Sequence, residues 1–242
     1  VNFIDTAEMY PTNPLTSERV GNTEKIIGTW LAGRGRRDDV VIASKVTGPS
    51  PTVREEGYSG AIIRQTVEDS LTRLQTAYID IYQLHWPQRG SYHFRQYWKY
   101  DPSSQDPAKT VDELRDVMEA LTDLVAQGKI RHFGVSNDTA WGVAKFQQLA
   151  EEAGGPRVVS IQNEYSLLCR IFDLDLAELC VQEDVKLLAY SPLAAGILTG
   201  KYSNDAAPDD DYDQWSVQGN LVWSPVTGLL LGAEVEYQYY DQ

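Results

Sequence analysis

The sequence predicts an α/β fold built on parallel strands. Three observations carry that reading. Short apolar runs alternate with helical patterns from residue 1 to about 200, several runs are apolar at nearly every position, and almost every run ends in a polar or reactive side chain. The runs occupy residues 1–7, 40–46, 79–86, 130–137, 158–165 and 186–193. Near-continuous apolar character suits strands covered by helices on both faces.

The helices between them follow from spacing. Ile63, Val67, Leu71 and Leu74 recur at intervals of four, four and three, behind Ser59 as an N-cap. Leu114, Val117, Met118, Leu121, Leu124 and Val125 repeat the pattern, with Thr110 and Glu113 as a capping box and Gly128 as a stop. Six βα-like units fit either a doubly wound sheet or a barrel. The strand ends favour the barrel. Asp5, Lys45, His85, Ser136 with Asn137, Gln162, and Tyr190 with Ser191 stand at the C-terminal ends of different strands, where a barrel assembles its active site. A dinucleotide-binding open sheet should carry a glycine fingerprint in its first βα turn. Gly33-Arg34-Gly35 lacks the third glycine and reads as a turn with solvated arginines.

Two segments depart from this rhythm. Residues 87–109 hold Tyr92, Phe94, Tyr97, Trp98 and Tyr100 among Gly, Ser and Pro, a loop long enough to be functional. From about Ala206 the texture changes: Ala207-Pro208-Asp209-Asp210-Asp211 reads as a linker, then residues 217–223 and 229–239 read as two strands around a turn at 224–228. The expected division is a barrel over 1–205, and a linker with a β-hairpin tail of foreign character over 206–242.

Composition bounds the rest. A chain of 242 residues with 42% hydrophobic residues can bury a sizeable core. A net charge of −14 argues against nucleic acid or an anionic membrane surface as partner. Cys169 and Cys180 have no metal-ligand spacing, so no metal site is expected, and a pair of thiols suits a reducing compartment. No secretory-signal pattern and no spanning-length apolar stretch occurs, which makes a cytoplasmic protein the expectation.

Asp5, Tyr10, Lys45 and His85 form the chemical constellation. In carbonyl reduction by hydride transfer the developing alkoxide needs a proton donor, and a free tyrosine, with a pKa of about 10, holds its proton too tightly at neutral pH. A neighbouring ammonium stabilises the phenolate, a carboxylate holds that ammonium, and an imidazole orients the carbonyl. Tyr10 is then the acid, Lys45 its tuner, Asp5 the anchor and His85 the orienter. Taken singly, Asp5 reads more readily as a turn residue, Tyr10 as a rim aromatic and His85 as a core histidine. Lys45, inside an apolar run, is the hardest to dismiss.

Six ordered motifs carry a family resemblance. They are Asn2-Phe3-Ile4-Asp5-Thr6-Ala7-Glu8-Met9-Tyr10, Ala43-Ser44-Lys45-Val46, Asp80-Ile81-Tyr82-Gln83-Leu84-His85-Trp86-Pro87, the segment 128–137, Gln162-Asn163-Glu164-Tyr165-Ser166 and the segment 189–196. Over about residues 1–203 the chain resembles the aldo-keto reductases, in particular their bacterial Tas-like branch. The resemblance implies a (β/α)₈ TIM barrel, of which six of eight βα units are expected here, the first and last missing. It implies an NADP-dependent enzyme reducing small aldehydes and ketones, with the tetrad above as its catalytic residues.

The resemblance further implies that Ser136, Asn137 and Gln162 hydrogen-bond the nicotinamide carboxamide and that Tyr190 stacks on its ring. Ser191, Pro192, Leu193 and Ala194 would approach the pyrophosphate, with Gly196 allowing the turn and Lys201 adding a positive charge. The alternatives are a nucleotide-binding scaffold without turnover, or an inactive fragment. Residues 213–242 resemble a hairpin of an outer-membrane porin, which makes a joined reading frame the expectation for the tail, because one hairpin cannot close a membrane barrel.

Overall fold

The computed structural model describes residues 2–201 and the backbone of 214–226 and 229–240. Six strands, β1 (Phe3–Asp5), β2 (Val41–Val46), β3 (Ile79–Leu84), β4 (Ile130–Ser136), β5 (Val158–Glu164) and β6 (Lys186–Tyr190), form one parallel sheet in sequence order. Each lies inside one of the apolar runs. Sequential parallel order is the arrangement of a barrel wall, whereas a doubly wound sheet reverses its strand order at a switch point. The sheet curls into part of a (β/α)₈ barrel.

Among the described residues five α-helices cover it: α1 (Asn22–Arg34), α2 (Gly60–Leu74), α3 (Pro107–Ala126), α4 (Ala140–Ala153) and α5 (Leu176–Gln182). Ser59 caps α2 by accepting from the Ile62 amide, and Ile63, Val67 and Leu74 are fully buried on its inner stripe. The start of α3 differs from the expectation. Asp106, not Thr110, caps it, accepting from the Ala108 and Lys109 amides, with Pro107 in the first turn. Proline is favoured there because that amide has no helical partner in any case. Thr110 is buried one turn further in.

Gly33 and Arg34 are a second correction: they close α1, with Gly35 as its left-handed cap at φ 68°. Arg34 is also not freely solvated but pairs with Asp39. No apolar stripe announces α1, because its contact with α2 is made differently. A Cβ on Gly28 would lie 2.2 Å from the Arg73 carbonyl oxygen, so glycine is what permits the two helices to approach. Beside it Glu24 is fully buried, bonded by Arg73 at 2.6 Å and the Ser44 hydroxyl at 2.5 Å.

The tail strands β7 (Gln214–Val226) and β8 (Leu229–Tyr240) pair antiparallel as a separate sheet, with a register shift between Trp223 and Val226. They are hairpin strands and not parallel continuations of β6. The first runs on to Val226, beyond the expected turn start at Ser224. The expected domain boundary near residue 205, the linker at 207–211 and part of the turn fall outside the described residues. Among the described residues no helix is long and apolar enough to cross a membrane.

Candidate active site

The strand ends deliver their side chains to one mouth. Asp5 ends β1, Lys45 is the penultimate residue of β2 and His85 directly follows β3, its amide donating to the Val46 carbonyl at 3.0 Å. Tyr10 comes from the loop after β1, which is tied to β2 through the Thr6 amide to Ala43 (2.9 Å) and the Glu8 amide to Lys45 (3.1 Å). The buried Glu8 carboxylate tightens the same loop. It accepts from the Thr47 amide at 2.5 Å and pairs with Arg54 at 3.1 Å.

Lys45 is completely buried, and its ammonium donates to Asp5 Oδ2 at 2.5 Å and to the Thr6 carbonyl at 2.8 Å. A buried ammonium stays tolerable only when paired and hydrogen-bonded in this way. The Lys45 Nζ lies 5.1 Å from the centroid of the Tyr10 ring, whose edge meets the His85 ring at a centroid separation of 5.7 Å. Burial, reinforced by the Lys45 charge, holds the His85 imidazole well below its usual pKa. It is therefore neutral at pH 7. Its Nδ1 is buried and has no hydrogen-bond partner among the described residues.

A cavity of about 280 Å³ joins this group to the residues expected to meet a nicotinamide. Asp5, Tyr10, His85, Ser136, Asn137, Gln162, Tyr190 and Ser191 all line it. Asn137 is the connecting piece. It adopts a left-handed backbone, φ 53°, and its side-chain amide donates to the His85 carbonyl at 3.0 Å and accepts from the Tyr190 hydroxyl at 2.8 Å. Ser136 Oγ donates to the Gln162 carbonyl at 2.7 Å, locking β4 to β5 at the mouth.

Pro192, Leu193, Ala194, Gly196 and Lys201 do not line that cavity; they belong to the turn beyond it. There Ser191, Ala194, Ala195 and Gly196 all have positive φ, a density of left-handed backbone that clusters at ligand-binding turns. A Cβ on Gly196 would meet the Lys201 side chain at 2.6 Å.

Several residues at the mouth had no role assigned from the sequence. Met9, Thr12, Trp86 and Phe94 complete the cavity wall, and Trp86 meets Phe94 edge-on at 5.9 Å. The loop before α3 is fastened to the end of β4 by Arg89 paired with Asp138, by Ser91 donating to the Asn137 carbonyl at 2.8 Å, and by His93 Nε2 donating to the Asp138 carbonyl at 2.9 Å. Gln83, fully buried on β3, donates to Asp5 Oδ1 at 2.8 Å. Its signal in the sequence was its place two residues before His85, on the face of β3 it shares with Ile79 and Ile81.

A barrel wall with this strand-end geometry defines a class, and the sequence comparison agrees: the chain belongs to the aldo/keto reductase family, whose sequence model matches residues 1–238. The match runs on through the hairpin. Protein tas of Escherichia coli is 48% identical over 213 residues, covering 86% of this chain and 60% of that protein, which places the chain with the Tas-like branch. Norsolorinic acid reductase B of Aspergillus parasiticus is 33% identical, over 81% of this chain and 45% of its own length. Among solved structures, an aldo/keto reductase from Klebsiella pneumoniae in complex with NADP and acetate superposes with a TM-score of 0.58 at 31% identity, over 84% of this chain and 56% of that one. The chain thus spans about half the length of these relatives, from 45% to 60%.

Proposed function

We propose that this protein is an NADPH-dependent oxidoreductase that reduces small aldehydes and ketones to alcohols, with Tyr10 as the general acid. The observation that supports it most is the buried Lys45–Asp5 ion pair set beside the Tyr10 ring at the mouth of the sheet. A structural ion pair needs no cavity-lining tyrosine and histidine beside it. A proton-donating site does.

The residues present fit a nicotinamide cofactor. Ser136, Asn137 and Gln162 offer hydroxyl and amide groups along one wall, Tyr190 a flat ring, and the turn at 191–196 a run of left-handed backbone ending at Gly196. The Klebsiella relative binds NADP, which supports the same assignment. When bound, the nicotinamide supplies the hydride. Tyr10 donates the proton to the carbonyl oxygen, and Lys45, held in place by Asp5, stabilises the phenolate left behind. His85, neutral, can accept or donate one hydrogen bond without adding a charge that would compete for the oxyanion. Trp86 and Phe94 flank the cavity with aromatic faces.

The test is steady-state oxidation of NADPH with a panel of aldehydes and ketones, with Tyr10→Phe as control. Tyr10→Phe should lower kcat by two or more decades, in line with about 10²–10⁴ for a general acid, while cofactor affinity is kept. Equal loss of both would make Tyr10 a structural residue.

A further inference from the structure

The interior of a parallel barrel is filled with branched apolar side chains, so a fully buried glutamine inside the wall calls for a reason. Gln83 is that residue. Its register partner on β2 is Lys45, and its amide nitrogen lies 2.8 Å from Asp5 Oδ1 while Lys45 Nζ takes Oδ2 at 2.5 Å. The orientation of the amide is not arbitrary. Turned over, its oxygen would face a carboxylate oxygen at the same distance, a repulsive contact. As it stands the nitrogen serves Asp5 and the oxygen, Oε1, is buried without a partner among the described residues. Leaving a buried carbonyl unsatisfied is unfavourable, and a leucine here would avoid it.

We propose that Gln83 is a positioning residue of the tetrad: its amide fixes the plane of the Asp5 carboxylate, so that Oδ2 presents to Lys45 and the ammonium stays beneath Tyr10. It touches neither substrate nor cofactor. It acts through Asp5, and its influence reaches the reaction as the ease with which Tyr10 gives up its proton. This rests on the catalytic reading of Tyr10 given above.

The test replaces Gln83 with Met, which keeps the length and burial and removes the donor, and with Glu as a second variant that keeps the shape but sets a like charge against Asp5. Two readouts are taken. The first needs no turnover: ultraviolet difference titration of the tyrosinate, with the Tyr10→Phe counterpart of each protein subtracted, isolates the ionisation of Tyr10. In Gln83→Met the midpoint should lie about one pH unit higher than in the parent, because the ammonium is less well placed. The second is the kcat–pH profile, where kcat at neutral pH should fall about tenfold with the KM for cofactor unchanged. Gln83→Glu should fold with a displaced midpoint as well. A lowered melting temperature with the Tyr10 midpoint unmoved would overturn the proposal and leave Gln83 a packing residue. A parent protein without reductase activity would sink the catalytic reading, while the titration would still decide what Gln83 does to Tyr10.

Discussion

The Tyr190 hydroxyl donates to the Asn137 side-chain oxygen at 2.8 Å, and the same amide donates to the main-chain carbonyl of His85 at 3.0 Å. One side chain therefore ties the ring expected to stack on the nicotinamide to the residue expected to orient the carbonyl. The left-handed backbone of Asn137 makes this reach possible, and asparagine is among the few residues that tolerate it.

Removing that hydroxyl tests the link. Tyr190→Phe keeps the ring and loses one hydrogen bond, worth about 1 kcal/mol. NADPH binding, read by quenching of tryptophan fluorescence, should weaken about fivefold. Tyr190→Ala, which also removes the stacking face, should weaken it much further. Phe binding as tightly as Tyr would show that the Asn137 contact does not shape the site.

Stability should depend on pH through His85. An imidazole in the unfolded chain titrates near about pH 6.5, whereas in the folded protein burial, and then the Lys45 charge, move His85 well below that. Between the two values the unfolded chain binds more protons, so stability is complete above about pH 6.5 and is lost as pH falls toward the folded value. His93, lowered chiefly by burial, acts in the same direction. Melting temperature should therefore decline from about pH 7 to about pH 5. His85→Asn should flatten the decline in calorimetry. An unchanged slope would assign it to other groups.

Asp138 should matter more than its lack of a motif suggests. Its carboxylate pairs with Arg89, and both side chains are nearly buried. Asp138→Ala leaves that guanidinium unpaired and should cost about 3–5 kcal/mol in a urea titration. The Asp138 carbonyl still accepts from His93, so the loop stays tethered at one point. The carbonyl-substrate KM should rise while cofactor binding changes little. In the double variant with Arg89→Ala much of the stability should return, since the orphaned charge is gone. Purely additive losses would mean that the two residues are not coupled.

The sequence alone determined the parallel strands, their order and most of the mouth. Strands buried on both faces leave a local record, and so do the polar residues that break each run at its end, which is how Asp5, Lys45, His85, Asn137 and Tyr190 were legible. The helix α1 was not, because Ile26 and Trp30 face outward while Glu24 and Gly28 face in. A charge bridged by Arg73 and Ser44 and a glycine under a carbonyl leave no apolar periodicity to read. The same holds for the supports of the site. Gln83 reaches Asp5 across 78 residues and Arg89 reaches Asp138 across 49. A local pattern records which way a side chain faces; which partner it finds there depends on the register between strands and the path of the loops, and only the folded barrel wall decides those.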